Sequence, residues 1–268
     1  MKQMTYEEIL SLPVDKSKII SVWSSVGDVK NNWQHVVDNN HKYISFFLSE
    51  ISKYFDLDNI KNIFDVGSLN GIESVYFAQY LPNSKVYSFE ANPNSAKLVE
   101  SNQKDYPNTK CINKAISNYI GTAEFFLTNG NIGASSLLKP IGGPAAGHYY
   151  TINVDVTTIE EFSKENNIDK VDVIWMDLQG NELNALKGMG DMLHDTMAIC
   201  SEIGIKPYYE GHTLFKDIYD YLKQYGFEIS NTPYPFPYTS KGGAPDPSVD
   251  AWECDIIFIN KKLSEKCS

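Results

Sequence analysis

From Asn62 onward, short apolar runs alternate with stretches of helical spacing, and this alternation limits the chain to few folds. Strands separated by helices run the same way, so the pattern predicts a mostly parallel sheet covered on both faces. Ile63-Phe64-Asp65-Val66 reads as the first strand, and Gly71 opens a helix carrying Ile72, Val75, Tyr76 and Phe77. Lys85 to Glu90 is the next strand. Asn92-Pro93 caps a helix expected to reach about Asp105, with Pro where its missing N–H costs little. A third strand is expected over Thr109–Ala115, and Thr122–Leu127 and Thr151–Val156 alternate like two more. Helices follow at Thr158–Asn166, Asn184–Leu193 and Leu214–Tyr225, with strands at Val171–Met176 and Met197–Glu202. The last two strands, Phe227–Ser230 and Asp255–Ile259, have no helix between them and should pair antiparallel.

The first 60 residues read as a helical extension. Tyr6, Ile9 and Leu10 have helical spacing, as do Val36, Val37, Ile44, Phe46, Phe47, Ile51 and Tyr54 between Trp33 and Phe55. The domain proper is then 61–268, with loop insertions at 129–150 and 231–250. The first insertion holds five Gly and two Pro; the second interleaves Tyr234, Phe236 and Tyr238 with prolines. Loops this long in a compact domain are functional or disordered, and the aromatics of the second favour an ordered wall.

Charge narrows the partners. The net charge is −11 and every basic residue is Lys, which argues against nucleic acid and removes guanidinium clamps for phosphate. The four Cys show no metal-ligand spacing, and Met1–Leu12 is too polar for a signal peptide. No apolar run approaches membrane-spanning length. A soluble, cytoplasmic protein with reduced thiols and no membrane insertion is expected; the oligomeric state is not legible.

Three strand ends carry the chemistry. Asp65-Val66-Gly67-Ser68-Leu69-Asn70-Gly71 joins a strand to a helix with G-x-x-x-G spacing and an acid before the first Gly. A pyrophosphate avoids a neighbouring carboxylate, whereas an ammonium or sulfonium benefits from one. Glu90 ends the next strand, 25 residues on, where an acid can accept hydrogen bonds from both hydroxyls of a ribose. Asp177-Leu178-Gln179-Gly180-Asn181-Glu182 follows the apolar strand Val171–Met176 at the same sheet edge.

These blocks resemble the FkbM family of S-adenosylmethionine-dependent O-methyltransferases. The resemblance runs from Phe64-Asp65-Val66-Gly67 through Ser88-Phe89-Glu90-Ala91-Asn92-Pro93, Asn113-Lys114-Ala115-Ile116-Ser117 and Thr157-Thr158-Ile159-Glu160-Glu161-Phe162 to Asp177–Gly188. Ser68 and Leu69 stand where the family usually has Ala and Asn, and Gln179 replaces the usual Glu while Glu182 is retained. The resemblance implies an α/β, Rossmann-like, seven-stranded class I methyltransferase sheet, mostly parallel with an antiparallel last strand. It implies S-adenosyl-L-methionine as cofactor and S-adenosyl-L-homocysteine as product. Asp65, Gly67, Ser68 and Gly71 would meet the methionine part, Glu90 the ribose hydroxyls, and Lys114, Ala115 and Ile116 the adenine, with Ala91 also binding cofactor. Asp177 would face the methyl group and a small-molecule or carbohydrate acceptor.

An acceptor hydroxyl must lose a proton. Asp177 is the first candidate base, followed by His148 and His212 in or beside the loops, since imidazole suits base work near neutral pH. His35, His41 and His194 fall on predicted helices and read as structural. Glu202, Tyr208 and Tyr209 are expected to bind acceptor. Asp155, Asp177 and Glu202 could converge on a metal, but no spacing demands it and none is expected. The competing readings are a nicotinamide-dependent oxidoreductase or epimerase, opposed by the missing G-x-G-x-x-G, and a nucleoside-binding domain without catalysis.

Overall fold

The computed structural model describes residues 3–17, 19, 33–230, 244–245, 248 and 250–267. The aromatics at 234–238 lie outside the described residues. A seven-stranded sheet is built from β1 (Asn62–Val66), β2 (Lys85–Phe89), β3 (Thr109–Ile112), β7 (Val173–Met176), β8 (Ala198–Gly204), β9 (Phe227–Ile229) and β10 (Glu253–Asn260). Its order is β3-β2-β1-β7-β8-β10-β9. The first five are parallel, and β10 runs antiparallel to both neighbours. The order reverses between β1 and β7, so the carboxyl ends of those strands form the crevice where such sheets bind ligands.

Alternation along the strands sorts the two faces. Ile63, Val173, Cys200, Ile257 and Ile259 pack under α2 (Trp33–Ser52) and α3 (Ile72–Tyr80), whose Ile44, Phe47, Ile51, Val75 and Tyr76 are fully buried. On the opposite face Phe64, Val66, Ile174, Met176, Ile199 and Phe258 meet α5 (Ile159–Glu165), α6 (Glu182–Lys187) and α7 (Phe215–Lys223) through Phe162, Leu186 and Leu222. The short α1 (Tyr6–Leu10) carries a capping box between Thr5 and Glu8. Tyr76 Oη donates to the Val37 carbonyl at 2.8 Å, fastening α2 to α3. The remaining helix before the crevice, α4 (Pro93–Gln103), starts at the Asn92 cap with Pro in its first turn.

Three expectations are corrected. Thr109–Ala115 is not one strand: β3 stops at Ile112, and β4 (Ala115–Ile116) joins a separate sheet. Asn113 makes the break by donating its amide to the carbonyls of Glu90 and Ala91 at 2.7 and 3.1 Å. The strands expected over 122–127 and 151–156 exist as β5 (Gly121–Thr128) and β6 (Tyr149–Thr157), but they form this second sheet, ordered β4-β6-β5. The helix expected over 184–193 begins earlier and ends at Lys187. A Cβ on Gly188 would lie 2.3 Å from the Ser117 carbonyl, so the chain turns there and continues as a 3-10 turn, Gly190–Asp195. A C-terminal helix, α8 (Lys261–Cys267), follows β10 and was not anticipated. Asn260 opens it, accepting the Leu263 N–H at 3.0 Å.

Candidate active site

The turn after β1 is shaped by close approach. Gly67 has φ +87°, and a Cβ there would lie 1.8 Å from the Asp177 carbonyl oxygen, so only glycine lets the β1 and β7 ends meet. Gly67 and Ser68 both donate their N–H to the Phe89 carbonyl, at 2.9 and 3.0 Å. Gly71, φ +70°, caps α3 against Val99 of α4. Asp65 is buried and turned to the α3 face, where Ser74 Oγ donates to it at 2.6 Å. It is not among the residues lining the crevice; it supports the turn from behind.

Glu90 is the hinge between two turns. Its Oε2 accepts the Leu69 N–H and its Oε1 the Asn92 N–H, each at 2.7 Å. Each oxygen keeps a second lone pair, so both can still accept a hydroxyl. Burial pushes its carboxyl up to about 8, against the pull of those two N–H groups and with a push from Asp65 and Asp177.

After β7 the chain makes a tight acid-rich turn. Asp177 N donates to the Val66 carbonyl at 2.9 Å. The N–H groups of Leu178 and Gly180 both donate to Glu182 Oε1, at 2.9 and 3.1 Å. Gln179 adopts φ +52°, and its Nε2 donates to Asp177 Oδ1 at 2.7 Å and to Glu202 Oε2 at 2.6 Å. Burial raises the Asp177 carboxyl above the usual range and Glu202 well above it.

These turns enclose a cleft of about 620 Å³, open solvent at its mouth included. Gly67, Glu90, Ala91, Lys114, Ala115, Ile116 and Asp177 of the expected site line it, along with Leu69 and Phe89, whereas the expected Ser68 and Gly71 shape the turn without lining it. Bare backbone at Gly67, a carboxyl with free lone pairs at Glu90 and an apolar slot at Ala91, Ile116 and Phe125 fit S-adenosylmethionine. A sulfonium beside Glu90 and Asp177 would favour their ionised forms, against the effect of burial.

Sequence reasoning missed the roof. Phe125 of β5 and Ile132, Gly133, Ser135 and Leu137 of the 129–150 loop line the same cleft. Ser136 Oγ donates to the Gln179 carbonyl at 2.9 Å, and Ile141 N to the Tyr208 carbonyl at 3.0 Å. The length of this Gly-rich loop was its signal. Asn181 was also missed; it lines the cleft and donates to the Ile116 carbonyl at 3.0 Å, tying α6 to the second sheet.

The remaining expected residues lie apart from the cleft lining. Tyr208 and Tyr209 are each 1% exposed, so neither ring presents a face for stacking. Tyr208 Oη donates to Glu253, and Tyr209 Oη reaches the Ala134 carbonyl at 2.7 Å and Gln179 Oε1 at 2.9 Å. His212 packs between Gly180 and Gly204; its Nδ1 accepts the Tyr208 N–H at 3.3 Å, and burial lowers its pKa to about 4. The ring is therefore neutral. His148 is exposed at the start of β6, with its carbonyl accepting the Asn129 N–H. Asp155 is exposed on β6 opposite Thr122. Among the described residues no group of three His, Cys, Asp or Glu could hold a metal ion.

Burial holds several carboxyls high: Asp65 and Asp255 at about 7, Glu73, Glu90 and Glu182 at about 8. The folded chain thus keeps protons that the unfolded chain releases, and stability falls as pH rises between about 4 and 8. The ligand-free protein should melt at least about 5 °C lower at about pH 8.5 than at about pH 5.5. A scanning fluorimetry profile that is flat or rises across that range would show that these acids ionise as freely folded as unfolded.

A model of the methyltransferase FkbM domain matches residues 65–229, more than half of the chain. The 2-O-methyltransferase NoeI of Sinorhizobium fredii is 25% identical over 173 residues, covering 61% of this chain and 71% of that protein. An rRNA methylase from Streptococcus thermophilus superposes with TM-score 0.45 at 13% identity, over 82% of this chain and 95% of that one. Aeropyrum pernix fibrillarin, solved with natively bound S-adenosyl-L-methionine, gives TM-score 0.42 at 13% identity, over 79% and 74%. The match over residues 65–229 carries the assignment: this chain belongs to the FkbM methyltransferase family and is an S-adenosylmethionine-dependent methyltransferase.

Proposed function

We propose that the enzyme methylates a hydroxyl oxygen of a sugar or other small-molecule acceptor, with Asp177 as the general base. The observation that carries this reading is Asp177 itself. It is a cleft-lining carboxylate at the switch point of the sheet, held on Gln179 and free of any Lys salt bridge among the described residues. The naming of a relative as a 2-O-methyltransferase supports oxygen as the accepting atom. Neither His148 nor His212 lines the cleft, which favours Asp177 over both.

S-adenosylmethionine supplies an electrophilic methyl group on a positively charged sulfur. Glu90 would hold the ribose hydroxyls, the Gly67–Gly71 turn the methionine part, and Lys114–Ile116 the adenine. Asp65 would steady that turn through Ser74. Phe125 and the 132–137 segment would exclude water, which strengthens the attraction between Asp177 and positive charge. Asp177 would orient the acceptor hydroxyl in line with the methyl and take its proton.

Glu90→Ala should weaken S-adenosylhomocysteine binding about 10- to 100-fold by calorimetry, through loss of charge-assisted hydrogen bonds. Unchanged affinity would remove Glu90 from the cofactor site. The acceptor is tested by following S-adenosylhomocysteine release over a panel of sugars, glycans, small phenols and RNA. Turnover with RNA alone would overturn the small-acceptor reading, and binding of NAD(P) in the cleft would revive the oxidoreductase one.

A further inference from the structure

The Gln179 amide arranges two carboxyls in a way that a lone catalytic base would not need. Its Nε2 has two hydrogens, and both are used: one on Asp177 Oδ1 at 2.7 Å, one on Glu202 Oε2 at 2.6 Å. Its Oε1 faces the Tyr209 hydroxyl at 2.9 Å. Turning the amide over would aim its oxygen at two carboxyls, so the orientation is fixed by its neighbours. Because both oxygens sit on the same nitrogen, the Asp177 and Glu202 carboxyls share one small site. Two carboxylates that close repel each other, which favours a proton on one of them.

We infer that Glu202 is a positioning residue for methyl transfer: it remains a carboxylic acid that donates a hydrogen bond to Asp177, with Gln179 fixing the pair. This rests on the O-methylation reading above. The surroundings decide which acid keeps the proton. The Gln179 amide donates to both acids, and the Gln179 backbone further favours the ionised form of Asp177. Glu202 is surrounded by Asp177, Glu182 of α6, and Glu253 and Asp255 of β10, which all disfavour a second charge. Asp65 of β1, Glu73 of α3 and Glu90 just after β2 lie in the same field, each interacting with Asp177 or its neighbours. Tyr208 and Tyr209 complete the wall and stay neutral, burial raising both hydroxyls far above their ordinary range.

The arrangement accounts for the proton. The acceptor oxygen forms its bond to the methyl carbon, and the carbon–sulfur bond breaks with its electron pair left on sulfur. The hydroxyl proton passes to Asp177. The pair goes from one negative charge to none as the sulfonium becomes a neutral thioether, so no net charge is created in the buried site. Had both acids been ionised, one would remain charged and unpaired beside a neutral product.

Two substitutions separate a proton-donating Glu202 from a charged one. Glu202→Leu removes the donor; kcat at neutral pH should fall at least about tenfold, and the acidic limb of kcat should move up by about one pH unit. Glu202→Gln can donate the same bond through its amide, and it should recover the position of the limb and most of kcat. Infrared difference spectra of wild type minus Glu202→Gln, at neutral pH and without ligand, should show one protonated-carboxyl band belonging to Glu202. The inference is overturned if Glu202→Gln is as impaired as Glu202→Leu, or if that band is absent. Failure of the wild type to methylate any hydroxylic acceptor would count instead against O-methylation, and the infrared result would still decide the state of Glu202.

Discussion

Asp177→Asn should lower kcat by about 10²- to 10⁴-fold while S-adenosylhomocysteine affinity stays within about threefold of wild type. The substitution preserves size and hydrogen bonding but removes the proton acceptor. Asp177 sits in the cleft wall, and its backbone position is set by the N–H donated to Val66, which the substitution does not touch. Asn at 177 would also leave Gln179 a neutral partner in place of a charged one. Steady-state and single-turnover kinetics with a competent acceptor measure the effect. An Asp177→Asn enzyme with unchanged single-turnover rate would exclude a base role.

Gly67→Ala carries the second large effect, and its origin is steric. The residue needs φ +87°, and the added methyl would meet the Asp177 carbonyl oxygen at 1.8 Å. Left-handed backbone and an overlap with backbone atoms together cost about 3 kcal/mol or more. For a chain of this size that corresponds to a melting temperature lower by about 5–10 °C. Relief of the overlap would push the β1 and β7 ends apart, moving Gly67 and Asp177 together out of register with Glu90. S-adenosylhomocysteine binding should therefore fall to the limit of calorimetry. A Gly67→Ala protein with wild-type melting and affinity would mean that the two strand ends are not held in contact.

The parts legible in the sequence were those whose cause is local. Gly67, Gly71 and the Asn92-Pro93 cap are each demanded by a turn only a few residues long, and the structure has each in that role. Parallel order in the sheet followed from strand–helix alternation for the same reason. What was not legible depends on partners distant in the chain. The side of the sheet that Asp65 faces is set by its alternation with Phe64 and Val66, but that α3 lies on that side is a tertiary fact. β5 and β6 were readable as strands, yet their membership of a second sheet depends on the two-residue β4, too short to leave a pattern. Gln179 looked like a departure from the family; its role appears only when Glu202, 23 residues onward, comes within 2.6 Å. Tyr208 and Tyr209 had the composition of a stacking site, and their burial beneath the 129–150 loop shows that aromatic content does not reveal exposure.

The central claim is that one cleft holds S-adenosylmethionine with its methyl group beside Asp177. A crystal structure with S-adenosylhomocysteine tests it most directly. The predicted complex has both ribose hydroxyls on Glu90, adenine against Ala115 and Ile116, and the sulfur facing Asp177, with room for an acceptor oxygen about 3 Å from the transferred carbon. A complex with the sulfur directed away from Asp177, or with the ligand bound outside the cleft formed by Gly67, Glu90 and Ile116, would contradict it.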